Sequence, residues 1–242
     1  ISYTVRLALF GTAIAFVLAL LMVFLRIQEP DKRNNDFVKI IKIVANKFAR
    51  FYIFVIRGTP MMVQSLIFYY AIFNLFKRTG MSVTEINRVW SLFISGLVTV
   101  SLNSTAYLAE VLRGGILAVD AGQMEAARSL GMTHWQAMRR VVFPQAIKNS
   151  LPAIGNEFII NIKDSSVLCV LGVSDLMFMT RSVAGIYYKG TECYLIAATV
   201  YLFLTYLSSL LLKTITGRMT APDNTKRRQG NQTVDLGLPS SN

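Results

Sequence analysis

The chain has 242 residues, 53% of them apolar and only 16% charged, with a mean hydropathy of +0.47. That composition excludes an ordinary water-soluble domain and fits a chain that lives in a bilayer. The formal charge of +12 does not point to nucleic acid, because the basic residues fall between apolar runs, where anionic lipid headgroups are their counterpart.

In chain order, apolar runs near the ~20 residues that a membrane helix needs occupy Leu7–Ile27, Met61–Phe76, Trp90–Leu112, Pro152–Val173 and Tyr194–Leu212. They predict an all-α membrane protein with about five transmembrane helices. The chain opens on Ile1, close to the first run, and nothing there reads as a cleavable signal. Asp31–Arg50 mixes Val38, Ile40, Ile41, Ile43, Val44 and Phe48 with Lys39, Lys42 and Lys47, which predicts an amphipathic helix at the interface. The second run is short unless its helix starts within Phe51–Ile56 and passes Gly58 and Pro60 with a kink.

Five spans put the termini on opposite sides. Lys32, Arg33, Lys39, Lys42, Lys47 and Arg50 share a side with Arg113, Arg128, Arg139, Arg140, Lys148, Lys213, Arg218 and Lys226–Arg228. The other side holds only Lys77, Arg78, Arg88, Arg181 and Lys189. The richer side is expected to be cytoplasmic, with the amino terminus outside and the carboxyl terminus inside.

Polar side chains within a span cost up to ~2.5–3.5 kcal/mol each near mid-membrane and invite an explanation. In the third run Asn103, Tyr107 and Glu110 share a helical face, beside Ser104 and Thr105. Asn103 is the candidate for touching a polar solute; Glu110, near Arg113, is a gate or half of a structural ion pair. In the fourth run Asn156, Glu157, Asn161, Lys163 and Asp164 gather along one side. That side either lines a translocation path or forms an internal network in which Lys163 pairs with a carboxylate. Arg57 precedes a Gly58-Thr59-Pro60 break and reads as a gate or an interfacial anchor. Trp90, Tyr187, Tyr188 and Tyr194 sit where an aromatic belt belongs.

Between the third and fourth runs, Asp120–Pro144 is water-facing. Asp120 with Gln123 can cap a helix, Gly131 suits a left-handed stop, and Thr133 with Gln136 repeats the capping-box spacing for a second short helix running toward Pro144. Ala126 and Ala127 would let another surface approach the backbone, with Glu125 and Arg128 leaving charges at the contact. The element is a docking knob or a solvated loop.

Glu125-Ala126-Ala127, three residues, Gly131, nine residues, then Val141-x-Phe143-Pro144 resembles the EAA motif of permease subunits of ATP-binding-cassette (ABC) importers of the type I fold. Arg57-Gly58-Thr59-Pro60 with Gln64 is similar to the polar-amino-acid branch, as are Ala106–Glu110 with Arg113-Gly114-Gly115, Gly155–Phe158 and Ile162–Ser166. The likeness covers residues 1–218 as one transmembrane domain, with its coupling element at 120–144, and leaves 219–242 as a polar tail expected to be disordered.

The resemblance implies a cell-membrane importer that moves a polar amino acid. A separate ABC ATPase subunit, carrying ATP-Mg, would receive the segment from Glu125 to Gly131. A second permease, identical or related, would complete the path, and an extracytoplasmic solute-binding protein would deliver the solute. The chain itself has no Gly-x-x-x-x-Gly-Lys-Ser/Thr loop, and its sole histidine, His134, supports no Ser–His–Asp triad. A non-enzymatic subunit with no cofactor of its own is therefore expected. Cys169, Cys193 and His134 build no metal cluster, and the two cysteines are disulfide partners or unrelated apolar residues. The alternatives are a permease for methionine or an osmoprotectant, or an ion-coupled transporter using Glu157 and Asp164.

Overall fold

A computed structural model describes residues 1–27 and 35–220, without the side chains of 218–220. Lys32, Arg33 and the tail from 221 onward, including Lys226–Arg228, lie outside the described residues. Among the described residues every regular element is helical: α1 (Ser2–Ile27), α2 (Asp36–Gly58), α3 (Met61–Arg78), α4 (Val83–Val89), α5 (Leu92–Leu117), α6 (Ala121–Ser129), α7 (His134–Ala137), α8 (Phe143–Asp164), α9 (Leu176–Tyr187) and α10 (Gly190–Thr220). A π-helical turn, Met138–Val142, joins α7 to α8, and a 3₁₀ stretch, Ser165–Leu171, follows α8.

Three of these helices, α1, α5 and α10, are long and apolar enough to cross a membrane alone, and two bent pairs raise the number to as many as five. At 26 residues, α1 and α5 each reach about 39 Å, past the ~30 Å hydrocarbon core. Helix α5 is the most enclosed of the three and α10 the least, with 61% and 6% of their apolar windows buried. The bundle is therefore built around α5. Along α1, the small residues Ala8, Gly11, Thr12, Ala15 and Ala19 face inward at helical spacing, the pattern by which membrane helices approach without a hydrophobic driving force. At Gly115 of α5 a Cβ would sit 2.6 Å from the carbonyl oxygen of Ala146, so only glycine lets α5 and α8 pack that closely.

Two spans depart from expectation. The amphipathic stretch and the extension through Phe51–Ile56 form one continuous helix, α2, which ends where α3 turns away by 113°. This is a break, not a kink. Thr59 and Pro60 are both extended, at φ −123°, ψ 146° and φ −65°, ψ 135°, because the residue before a proline is driven out of the helical region. The fourth run, expected as a single helix over Pro152–Val173, stops at Asp164, tightens into the 3₁₀ stretch, ends at left-handed Gly172 and resumes as α9 at 52°. Trp90 does not belong to an aromatic belt: it is 7% exposed and its indole N–H donates to the carbonyl of Tyr69 at 3.3 Å. Packing against α3 satisfies the ring on both counts.

The two ends of the bundle can be told apart. At one, Phe24 near the end of α1 meets Trp135 edge-on, and Arg26 pairs with Glu110 of α5. At the other, the N–H of Leu176 donates to Thr4 Oγ1 at 3.1 Å.

Candidate functional site

The Asp120–Pro144 element stands on the Phe24–Arg26 end. Asp120 Oδ1 accepts from Gly122 N at 2.7 Å, so the side-chain cap is made to the second residue, and Gln123 N–H donates to the Asp120 carbonyl at 3.0 Å. The Gln123 side chain accepts from Gln145 Nε2 at 3.4 Å, linking α6 to α8. Gly131 has φ +83°, a left-handed stop that other residues adopt only with strain. Thr133 and Gln136 close the capping box in full, at 3.2 and 2.9 Å.

The second short helix runs toward Pro144 and continues into α8 through the π turn. Pro144 lacks an N–H and crowds the carbonyl four residues back, and widening the turn just before it relieves the conflict. On α6, Ala127 is buried at 4% exposure, which leaves Ala126, Glu125 and Arg128 on the outward face. Leu130, 82% exposed beside Gly131, joins them. The sequence reading missed Leu130, although a large apolar residue ending a water-facing helix is a legible signal.

A second set of polar groups lies in the bundle interior. Gln64 Nε2 lies 2.7 Å from the carbonyl of Ile56 and 3.0 and 2.7 Å from the carbonyl and hydroxyl oxygens of Thr59. Gln64 Oε1 accepts from Asn103 Nδ2 at 2.9 Å. One buried amide thus satisfies the backbone freed by the break and ties it to α5. Asn103, the expected solute contact, gives one amide proton to this bond. Ser104 Oγ donates to Asn161 Oδ1 at 2.9 Å, and Asn161 Nδ2 donates to Thr12 Oγ1 at 2.9 Å, so α1, α5 and α8 meet in one chain of bonds. Thr105 is buried and donates to the carbonyl of Ser101 at 2.6 Å. Sequence reasoning placed Gln64 in a motif and Ser104 on a polar face but passed over Thr12; an amide or hydroxyl deep in an apolar run is the signal they share.

The polar side of α8 divides. Glu157 and Asn161 are buried and Asp164 is half-buried, whereas Asn156 and Lys163 are exposed on the isolated chain. Lys163 forms no ion pair among the described residues; those present join Glu110 to Arg26 and Arg113, and Asp36 to Lys39. The Arg57 guanidinium lies 5.3 Å from the centroid of the Tyr107 ring, a cation–π contact on an exposed face just before the break that Pro60 helps create. Glu110 accepts from Arg26 and, at 3.0 Å, from Arg113 Nε, locking the end of α1 to α5. Arg57, Tyr107, Asn156 and Lys163 cannot favourably face hydrocarbon. The exposed surfaces of α1 and α10, rich in Leu9, Phe10, Val17, Leu195, Leu202 and Phe203, can.

A bundle of apolar helices with an internal polar seam and a capped knob at one end defines a membrane-embedded transport subunit. The family described as binding-protein-dependent transport system inner membrane component matches residues 41–221, and the chain belongs to it. The glutamine transport system permease protein GlnP of Escherichia coli K12 is 34% identical over 176 residues, 73% of this chain and 76% of that protein. The nopaline transport system permease protein NocM of Agrobacterium fabrum is 30% identical over 213 residues, covering 86% and 81%. A crystal structure of an amino acid ABC transporter with histidines aligns at TM-score 0.72 and 40% identity over 89% of this chain and 90% of that one. The MetNI methionine ABC transporter in inward-facing form aligns at TM-score 0.69 over 90% and 93%; at 18% identity it shares the fold.

Proposed function

We propose that this chain is the permease subunit of an importer for a polar amino acid, with the energy supplied by a separate ATPase subunit that holds ATP-Mg. The observation that carries the reading is the knob: Glu125, Ala126, Arg128 and Leu130 are presented outward beside the Gly131 stop, on an element capped at both of its helix starts. Relatives named for glutamine and nopaline, and a structure named for an amino acid transporter, support the solute class.

In this reading the knob faces the cytoplasm and seats in a groove of the ATPase. Closure of two ATPase subunits on ATP moves the paired knobs, and the stiff π-to-α8 connection carries the movement into the bundle as a rigid-body shift. The face bearing Arg57, Tyr107, Asn156, Lys163 and Asp164 meets a second permease, identical or related, and the two enclose the path. Asn103, Thr105, Glu157 and Asn161 stand behind that face as its framework, and Glu110 with Pro60 fixes the helices that open and close it. A solute-binding protein delivers the amino acid at the outer end. Residues 1–218 form the transmembrane domain and 219–242 a cytoplasmic tail that takes no part in transport. No cofactor binds this chain.

The test is uptake of radiolabelled amino acid into liposomes holding the permease, its ATPase and its binding protein. Uptake is expected only with ATP, and is expected to stop with vanadate. Uptake that needs no ATPase and responds to an ionophore would make the chain an ion-coupled transporter and refute the proposal.

A further inference from the structure

The groove between the 3₁₀ stretch and α9 is unused by the seam and the knob. It has a volume of about 360 Å³ and is lined by Cys169, Phe178, Arg181, Ser182, Gly185 and Ile186. It lies toward the end of the bundle opposite the knob, where α9 begins against Thr4. Two of its groups carry complementary chemistry. Arg181 has no carboxylate in ion-pair reach among the described residues. The nearby acid, Asp175, is fully buried and forms no ion pair with Arg181: its Oδ1 accepts from the N–H of Phe178 at 2.8 Å and its Oδ2 has no hydrogen-bond partner among the described residues. Ser182 Oγ donates its proton to the carbonyl of Phe178 at 2.9 Å, which leaves its lone pairs free to accept.

A guanidinium without a counter-ion and a hydroxyl restricted to accepting therefore stand on adjacent residues, between the apolar walls of Phe178 and Ile186. An α-amino acid presents the matching pair, a carboxylate and an ammonium on one carbon. Carboxylate and guanidinium form the strongest hydrogen bonds open to either, and an exposed arginine next to an apolar span is tolerated where it meets water or a polar ligand.

We propose that this groove is an outer reception site for the free amino acid, with Arg181 holding the carboxylate, Ser182 Oγ accepting from the ammonium, and Phe178 with Ile186 covering the aliphatic stem. This rests on the proposed solute class and on the outward placement of this end. Gly185 offers a clean way to test it, because a Cβ there meets nothing within 4 Å. Gly185→Val puts a branched side chain into the groove from a position whose Cβ has room.

The experiment uses the full permease with its ATPase and binding protein in liposomes, on a Cys193→Ser background so that Cys169 is the sole thiol of this chain. A small methanethiosulfonate reagent labels Cys169 from the outer side. Glutamine, glutamate and arginine are offered as probes, each beside its decarboxylated analogue. At least one amino acid is expected to slow labelling and its analogue is not, and Arg181→Gln is expected to remove the protection. In ATP-driven uptake, Gly185→Val and Arg181→Gln are expected to raise the half-saturating concentration about tenfold or more, the cost of one charge-assisted contact, while the maximal rate is kept and Arg181→Lys recovers part of the loss.

Unchanged half-saturation in both variants, or no protection by any probe, overturns the site. Labelling slowed by anionic phosphatidylglycerol vesicles and indifferent to amino acids assigns the groove to lipid phosphate and overturns it as well. Failure of the solute class shows separately, as absence of ATP-driven uptake in the unsubstituted transporter.

Discussion

The interior seam and the knob both consist of polar side chains in an apolar chain, yet they treat those side chains oppositely. In the seam Gln64, Asn103, Ser104, Asn161 and Thr12 all bond to one another or to backbone. In the knob Glu125 and Arg128 are exposed and form no ion pair among the described residues. Groups that must live in low dielectric are satisfied by the fold itself, because an orphaned partner there costs more than the bond is worth. Groups kept for a partner are left open, and water holds them meanwhile. Substitutions in the seam should therefore be read in stability, and substitutions in the knob in coupling.

The largest effect is expected at Gly131. Gly131→Asp places a side chain and a charge at a left-handed position on the docking surface, and Glu125→Lys reverses the neighbouring charge. Both are expected to abolish ATP-driven uptake and stimulation of the ATPase with membrane content retained, and Glu125→Lys is expected to keep the thermal stability of the purified permease as well. Normal uptake in either would erase the contrast.

Gln64→Leu comes next. It strips the break of its staple and leaves the Ile56 and Thr59 carbonyls and the Asn103 amide without it, at an expected ~2–3 kcal/mol. The check is a lowered unfolding midpoint in detergent, with a changed spin-label distance between α2 and α3. Asn161→Leu, which unpairs Ser104 and Thr12, is expected to cost about 1–2 kcal/mol by the same measurement, since hydrogen bonds between membrane helices average ~0.6 and reach ~1.7 kcal/mol. A stable Asn161→Leu protein that fails only in uptake would move that residue from the seam to the path.

The smallest effect sharpens the comparison at a third place, α4. There Glu85 Oε2 accepts from Ser82 Oγ at 2.7 Å and from Ser82 N at 2.8 Å, and these bonds hold the Glu85 carboxyl below its ordinary range. Because the folded value is depressed, the cap is complete above the unfolded pKa and is lost as the pH falls through the folded one. Titration of the Glu85 carboxyl by carbon-13 NMR is expected to show this, and Ser82→Ala is expected to return the value toward normal.

Legibility followed the range of the interaction. Helix starts and stops are settled within a few residues, so Thr133 with Gln136 and Gly131 behaved as their spacing predicts. The Asp120 cap was legible as a cap but not in its side-chain partner, because the Gln123 side chain was drawn off by Gln145, distant in sequence. The face of Ala127 was not legible: a methyl group suits a docking surface and a core equally, and burial against the rest of the chain decides between them. Periodicity collected Asn156, Glu157, Asn161, Lys163 and Asp164 on one side of a helix, but could not tell which of them α1 and α5 would cover.

By itself the sequence determined that this is an all-helical membrane protein, where its apolar spans and its capped knob fall, and to which family it belongs, since apolar length, capping and motif spacing are properties of neighbouring residues. Tertiary structure alone decided how far the second span turns at its proline break, 113°, that Gln64 and Asn103 join across that break, and that Lys163 stays exposed while Glu157 and Asn161 are buried. Those outcomes depend on which surfaces are brought together across the chain, and a buried polar group takes its partner from whatever helix arrives beside it.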